Sequence, residues 1–89
     1  MSLSKRKFTA AELMSGQTYR VIKTFTDYDG TVHPVDESWR FVKKSFLPYE
    51  DGLSLFVERN KQNLSIRLQW RAESQGQIID NFSDFVAEV

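Results

Sequence analysis

His33 is the only histidine of the chain, and an imidazole suits acid–base chemistry near neutral pH or metal binding. A catalytic base needs a nucleophile or substrate beside it, and a zinc site needs three or four ligands. Because the chain has no cysteine and no second histidine, only carboxylates could complete such a site. The sequence therefore favours a structural or surface role for His33, and a small-ligand site around it is the weaker alternative.

A second candidate is the segment Asp27-Tyr28-Asp29-Gly30, which resembles the start of a calcium-binding loop. Such a loop needs further oxygen ligands and a glutamate at a fixed later position. The chain continues Thr-Val-His-Pro-Val instead, so the spacing fails. Asp-Gly readily takes the positive φ angles of a tight turn, and we predict a turn here rather than a metal site.

Two pairs of neighbouring carboxylates, Asp36-Glu37 and Glu50-Asp51, raise the question of acid–base catalysis. Paired carboxylates work when both face one substrate from different environments. Adjacent residues in a turn normally point apart, so we predict no catalytic role for either pair. No motif for a cofactor or a metal is present, and the sequence predicts a protein that is not an enzyme.

Polar residues alternate with apolar ones from Leu64 to Arg71, the period of a half-buried strand. Arg67, Gln69 and Arg71 then form a polar row on one strand face, which Arg59 can join across a hairpin. Small barrels hold single-stranded nucleic acid on such basic faces, although arginine and glutamine also simply keep a sheet soluble. Nucleic-acid binding is therefore an alternative function.

Aromatic residues supply the leading candidate surface. Phe56 falls opposite the inward-facing Leu55 and Val57, and Tyr28 and Tyr49 lie in predicted turns. Exposed aromatic patches typically mark interfaces. We therefore predict an interaction surface for a protein partner or a second copy, built from these aromatics and the polar row: Tyr28, Tyr49, Phe56, Arg59, Arg67, Gln69 and Arg71.

Bulk composition limits the class of protein. The 89 residues suffice for one domain, hydrophobic residues make up 40% and aromatic residues 13%, and no disulfide can add stability. Twelve basic and twelve acidic residues give no net charge, which argues against bulk attraction to nucleic acid or membranes. No apolar run is long enough for a membrane helix. We predict a flexible basic tail over residues 1–7, a single small β-rich domain over residues 8–89, and a cytoplasmic location.

Capping signals near the N-terminus predict a short helix over residues 10–15. Thr9 and Glu12 have capping-box spacing, and Gly16 suits the residue that ends a helix. After Arg71 the pattern is ambiguous, and we expect a short strand or turn followed by a helical turn from Ser83. Alternation and turn residues predict strands over residues 17–26, 31–35, 38–46, 53–58 and 64–71, with a bulge near Lys43 and Lys44.

Short strands joined by tight turns indicate a mainly β fold. A flat sheet leaves open edges, which curling into a barrel removes, and the aromatic residues could fill the barrel. We predict a small five-stranded antiparallel, partly open SH3-like barrel with a short N-terminal helix. The alternative is an α+β sheet with a helix on one face.

One segment gives the chain a family resemblance, which extends from the predicted helix to Asn81. Its most specific part is Phe46-Leu47-Pro48-Tyr49-Glu50-Asp51-Gly52-Leu53. The chain resembles a family of short bacterial domains of unknown function. The resemblance implies a bacterial cytoplasmic setting and a small stand-alone or fused domain, and it supplies no activity, ligand or catalytic residue.

Together these features predict a non-catalytic protein-interaction module without a cofactor. A single-stranded nucleic-acid-binding barrel and a small-ligand-binding barrel are the alternatives.

Overall fold

Five antiparallel strands form the main sheet, and two short strands form a separate small sheet. The structure, a computed structural model, describes residues 7–47, 51–71 and 73–89. The elements of these residues are the strands β1 (Thr18–Val21), β2 (Phe25–Thr26), β3 (Val32–His33), β4 (Ser38–Leu47), β5 (Gly52–Arg59), β6 (Gln62–Gln69) and β7 (Val86–Glu88), the helix α1 (Glu73–Asp80), and the 3₁₀ helices Ala10–Glu12 and Phe82–Asp84.

The main sheet has the order β6-β5-β4-β1-β7, so β6 and β7 are its edge strands. The prediction of a mainly β fold with a five-stranded antiparallel sheet is confirmed. The sheet does not close into a barrel, because β6 and β7 do not pair with each other in the described part of the chain. Helix α1 lies beside β6 instead, as in the alternative of a sheet with a packed helix.

The β5–β6 hairpin is tighter than the sequence suggested. Asn60 and Lys61 have φ angles of 52° and 65°, as in the two-residue type I′ turn that joins twisted strands. Arg59 pairs directly with Gln62 across this turn, so β6 begins two residues before the predicted strand. Every residue of β6 therefore has a defined partner on β5.

A bulge interrupts the pairing of β4 with β5. The register shifts between Phe41 and Lys43, one residue before the predicted position. Phe41 faces the core, and Lys43 lies opposite Phe56 on the outer face of the sheet. The bulge thus changes which face successive β4 side chains occupy.

The N-terminal helix is shorter than predicted. The Thr9 N–H donates to Glu12 Oε1 at 2.8 Å, as the capping spacing implies, but only Ala10–Glu12 is helical. Leu13 already has extended backbone, with ψ of 148°. Gly16 has the predicted left-handed conformation, with φ of 87°.

The segment after Arg71 differs from the prediction. In place of a short strand or turn, residues 73–80 form α1, and β7 then adds to β1. Only the helical turn near Ser83 appears as expected, within the 3₁₀ helix Phe82–Asp84. Burial of Ile79 accounts for the helix, because α1 packs against β6 and brings this side chain into the core. None of the described helices is long and apolar enough to span a membrane.

One face of the main sheet carries the core. Tyr19, Trp39, Phe41, Leu53, Leu55, Val57, Ile66 and Leu68 are buried there against side chains from α1 and the C-terminal 3₁₀ helix. Leu64, an apolar residue of the predicted half-buried strand, is 44% exposed. It lies near the turn end of β6, beside the cavity described below.

The packing of α1 can be tested by truncating Ile79. Ile79→Ala should lower the free energy of unfolding by about 2–5 kcal/mol, because the Ile79 side chain is fully buried and its truncation leaves a cavity. Gln77→Ala, on the exposed side of α1, should change it by less than about 0.5 kcal/mol. Urea unfolding measures both, and equal effects would contradict this packing.

Candidate functional site

The turn between β2 and β3 is organised by the buried carboxylate of Asp27. Its Oδ1 accepts hydrogen bonds from the main-chain N–H groups of Asp29 at 3.0 Å and Thr31 at 2.9 Å. Gly30 follows with φ of 87°. The segment therefore forms the predicted turn, and it uses an acidic side chain to satisfy its own backbone.

His33 is buried between two carboxylates. Its Nε2 lies 2.8 Å from Asp27 Oδ2, and its Nδ1 lies 2.6 Å from Glu37 Oε2. The imidazole ring also stacks on Phe25, with ring centres 4.7 Å apart. The sequence favoured either a structural or a surface role for His33, and the structure shows a buried position.

This contact determines what His33 can do. A neutral imidazole has one N–H and one acceptor nitrogen, whereas here both nitrogens face carboxylate oxygens. The contact is satisfied by a doubly protonated ring, or by a neutral ring facing one protonated carboxyl group. In both cases neither ring nitrogen is left for a substrate or a metal. Among the described residues, no group of three or more histidines and carboxylates is placed to hold a metal ion.

Of the two pairs of neighbouring carboxylates, only Asp36 and Glu37 are both described, and their side chains point in different directions. Asp36 is exposed with φ of 79°, whereas Glu37 turns inward to His33. Asp51 Oδ2 accepts a hydrogen bond from Arg71 Nε at 3.3 Å, and Glu50 lies outside the described residues. The Asp36 and Glu37 side chains therefore do not face a common substrate.

A cavity of about 480 Å³ lies between the β2–β3 turn and β6. Asp27, His33 and Glu37 line it on one side, and Ser65 lines it on the β6 side. Trp39 also lines it, and the Trp39 Nε1 is buried with no hydrogen-bond acceptor among the described residues. A buried donor without a partner is costly, so an acceptor atom that reached this N–H would stabilise it.

The edge of β6 is open beside this cavity. Within a strand, the N–H and C=O of one residue point to one side and those of the next residue to the other. The Trp70 N–H donates to the Asp51 carbonyl at 2.9 Å, on the β5 side, whereas the Arg67 carbonyl accepts from the Tyr28 N–H at 2.7 Å, on the outer side. Odd-numbered residues therefore point outward.

Asn63 and Ser65 are the odd-numbered residues before Arg67. Their outward main-chain groups are not paired with any other described residue. The β2–β3 hairpin touches this edge through the Tyr28–Arg67 hydrogen bond and then diverges, and the cavity occupies the gap. A short stretch of β6 is consequently available for main-chain pairing.

A second, more apolar cavity of about 440 Å³ lies on the outer face of the same edge. Val42, Lys43 and Phe56 line it together with residues 63–65. Val42 is exposed, and the Lys43 ammonium lies 5.4 Å from the centre of the Phe56 ring. The open edge is thus flanked by a polar cavity on the inner face and an apolar cavity on the outer face.

The structure brings some residues of the sequence-predicted surface together. Tyr28 is exposed under the guanidinium of Arg67, 5.8 Å from its ring centre, and Phe56 is half-buried on the outer face. Gln69 is only 8% exposed, and its Oε1 accepts from the Arg71 N–H, so it offers little surface. Tyr49 lies outside the described residues.

The arginines of that surface each lie beside a carboxylate. Arg59 lies 3.7 Å from Glu37 Oε1, the guanidinium of Arg67 donates to Asp29 Oδ1 at 3.1 Å, and Arg71 donates to Asp51. Their positive charges are therefore compensated locally.

Sequence reasoning considered Glu37 as a carboxylate beside Asp36, but it did not predict that Glu37 contacts His33. It also missed the Trp39 indole N–H and the main-chain groups of Asn63 and Ser65. The alternation from Leu64 to Arg71 is the signal that predicts a strand, in which the main-chain groups of every second residue point to the same side. It could not show that β6 is an edge strand, because strand order depends on long-range pairing.

The chain matches the family model described as "Domain of unknown function (DUF3601)" over residues 3–88, and it belongs to that family. An integron cassette protein from the mobile metagenome of Vibrio cholerae has a similar structure, with a TM-score of 0.83 and 32% sequence identity. The similarity covers 91% of this chain and 93% of that chain. No curated protein is significantly similar to the sequence. These similarities indicate no catalytic or other specific function.

The buried contact of His33 can be tested with two aspartates of the same turn. Asp27→Ala should lower the free energy of unfolding by about 3–5 kcal/mol, because it removes one partner of a buried pair. Asp29→Ala removes only an exposed ion pair with Arg67 and should cost less than about 1 kcal/mol. Urea unfolding compares the two variants, and a similar loss in both would contradict the role of Asp27.

Proposed function

We propose that this domain is a non-catalytic protein-interaction module that binds an extended segment of a partner protein along the open edge of β6. The observation that carries the proposal is the outward-pointing, unpaired main chain of Asn63 and Ser65. Exposed sheet edges bind extended peptides by adding them as a further strand. In this mode of binding, hydrogen bonds between the two main chains contribute to the affinity.

The dimensions of the edge support a short bound segment. At about 3.3 Å per residue, the open stretch from Asn63 to Ser65 is about 7 Å long and would pair with about three residues, because the Arg67 carbonyl already accepts from Tyr28. Side chains of an added strand alternate between the two faces of the sheet. The inner and outer cavities lie where these alternate side chains would be placed.

The non-catalytic part of the proposal rests on His33. Both of its ring nitrogens are occupied by carboxylates, so the most suitable acid–base group of the chain serves the structure. We extend the proposal to a cytoplasmic setting, in keeping with the absence of cysteine.

Proline at position 65 tests the proposal, because the Ser65 N–H points away from β5. Proline is tolerated at the free side of edge strands, so Ser65→Pro should fold yet lose the outward N–H. Ser65→Ala keeps that N–H and is the matched control. Used as baits in a lysate of the source cells, the wild type and Ser65→Ala should retain the same proteins, and Ser65→Pro should lose them.

Retention of the same proteins by a folded Ser65→Pro variant would contradict binding at this edge. Amide spectra of both variants check the fold. Ile66→Pro tests the side to which the N–H groups of β6 point. The Ile66 N–H points to β5, so its loss should disrupt the sheet.

Nucleic-acid binding provides a separate test. Because Arg59, Arg67 and Arg71 lie beside carboxylates, fluorescence titration with single-stranded RNA or DNA at about 50 mM salt should show no binding. Binding that weakens steeply as salt is raised would contradict the proposal and favour a basic nucleic-acid surface.

A further inference from the structure

We infer that the inner cavity beside β6 is a specificity pocket for a neutral amide side chain, asparagine or glutamine, of the bound segment. The inference rests on the proposed strand addition and names the chemistry of the partner. It begins from the position of Ser65, which lines both the inner and the outer cavity. A segment paired with Ser65 therefore places successive side chains into the two cavities in turn.

Trp39, one of the residues that line the inner cavity, carries a hydrogen-bond donor that lacks an acceptor in the described part of the chain. Trp39 is only 3% exposed, and its Nε1 lacks an acceptor among the described residues. An indole nitrogen only donates, so a bound side chain that contributes a carbonyl oxygen would satisfy this group. A purely apolar side chain would leave the indole N–H buried and unpaired.

The same cavity also offers acceptor capacity. Asp27 is fully engaged, because one oxygen accepts two main-chain N–H groups and the other contacts His33. Glu37 differs: its Oε2 contacts His33, whereas its Oε1 lies 3.7 Å from Arg59, longer than a hydrogen bond. The Glu37 Oε1 can therefore accept from a bound N–H donor.

Charge favours a neutral occupant over an ion. Asp27 and Glu37 are paired with His33, and Glu37 also faces Arg59, so the ionic groups of the cavity already compensate one another. A bound carboxylate would face two carboxylates, and a bound ammonium would leave Trp39 without an acceptor. The carboxylate would thus be repelled, and the ammonium could pair only with Glu37, whose charge His33 and Arg59 already compensate. A primary amide supplies both the carbonyl oxygen and the N–H donor.

The outer cavity specifies the neighbouring residues of the segment. Val42 and Phe56 give it an apolar lining. A segment with an apolar residue on each side of a glutamine therefore matches both cavities: the glutamine enters the inner cavity and the apolar residues face the outer cavity. The capped peptide Ac-Ser-Val-Gln-Val-Ser-NH2 is the probe, and the same peptide with leucine, glutamate or lysine in place of glutamine provides the comparison.

Amide spectra of ¹⁵N-labelled protein during peptide titration separate the two claims. The main-chain amides of Asn63 and Ser65 report strand addition, and the Trp39 indole N–H reports occupancy of the inner cavity. Trp70 is the internal control, because its Nε1 already donates to Asp80 Oδ1 at 3.3 Å. Trp39→Phe and Trp70→Phe assign the two indole signals.

We expect the glutamine peptide to shift the Asn63 and Ser65 amides and the Trp39 indole signal, and to leave the Trp70 signal in place. The leucine, glutamate and lysine peptides should bind at least about tenfold more weakly, which corresponds to about 1.4 kcal/mol. In Trp39→Phe, which keeps an aromatic ring and loses the N–H, the glutamine peptide should bind no better than the leucine peptide.

Other outcomes overturn the inference. Equal affinity of the four peptides, or edge amides that shift while the Trp39 indole does not, would reject the amide pocket and leave strand addition standing. No shift at Asn63 or Ser65 with any peptide at millimolar concentration would reject both. Edge amides that shift with protein concentration alone would show that a second copy covers the edge, which also rejects the pocket.

Discussion

The buried contact of His33 with Asp27 and Glu37 is the interaction on which the position of the β2–β3 hairpin depends. A two-stranded hairpin is barely stable alone, so it must be attached to the rest of the domain. Asp27 closes its turn, His33 connects that turn to Glu37, and Phe25 packs against Phe82 of the C-terminal segment. The short strands β2 and β3, which have little core of their own, are thereby attached to the rest of the domain.

The open edge of β6 follows from this attachment. The hairpin approaches β6 closely enough for the Tyr28 N–H to reach the Arg67 carbonyl, and then moves away from it. Asn63 and Ser65 consequently have a strand, β5, on one side only, and no closed barrel of the described strands protects the other side. Open edges invite association, and proteins usually keep them short. Here the open stretch is short as well, and it lies between two cavities.

Local patterns were sufficient for the parts of the fold that depend on neighbouring residues. Alternation located β6, and Asp-Gly located the turn at Asp29 and Gly30. Local patterns failed after Arg71, where packing against the sheet favours a helix. Residues such as Ile79 pack against strands that are distant in sequence, and local patterns do not show these contacts. The same limit applies to the site: nothing near His33 in the sequence shows that Asp27 and Glu37 meet its two nitrogens, or that Trp39 lies beside them.

Native-state hydrogen exchange of the β6 amides tests the central claim most directly. If odd-numbered residues point to an open edge, the Asn63 and Ser65 amides should exchange rapidly while the neighbouring Leu64 and Ile66 amides are protected by β5. This alternation needs no ligand and no variant. Protection of the Ser65 amide equal to that of Ile66 would show that the edge is already covered, and would contradict the account.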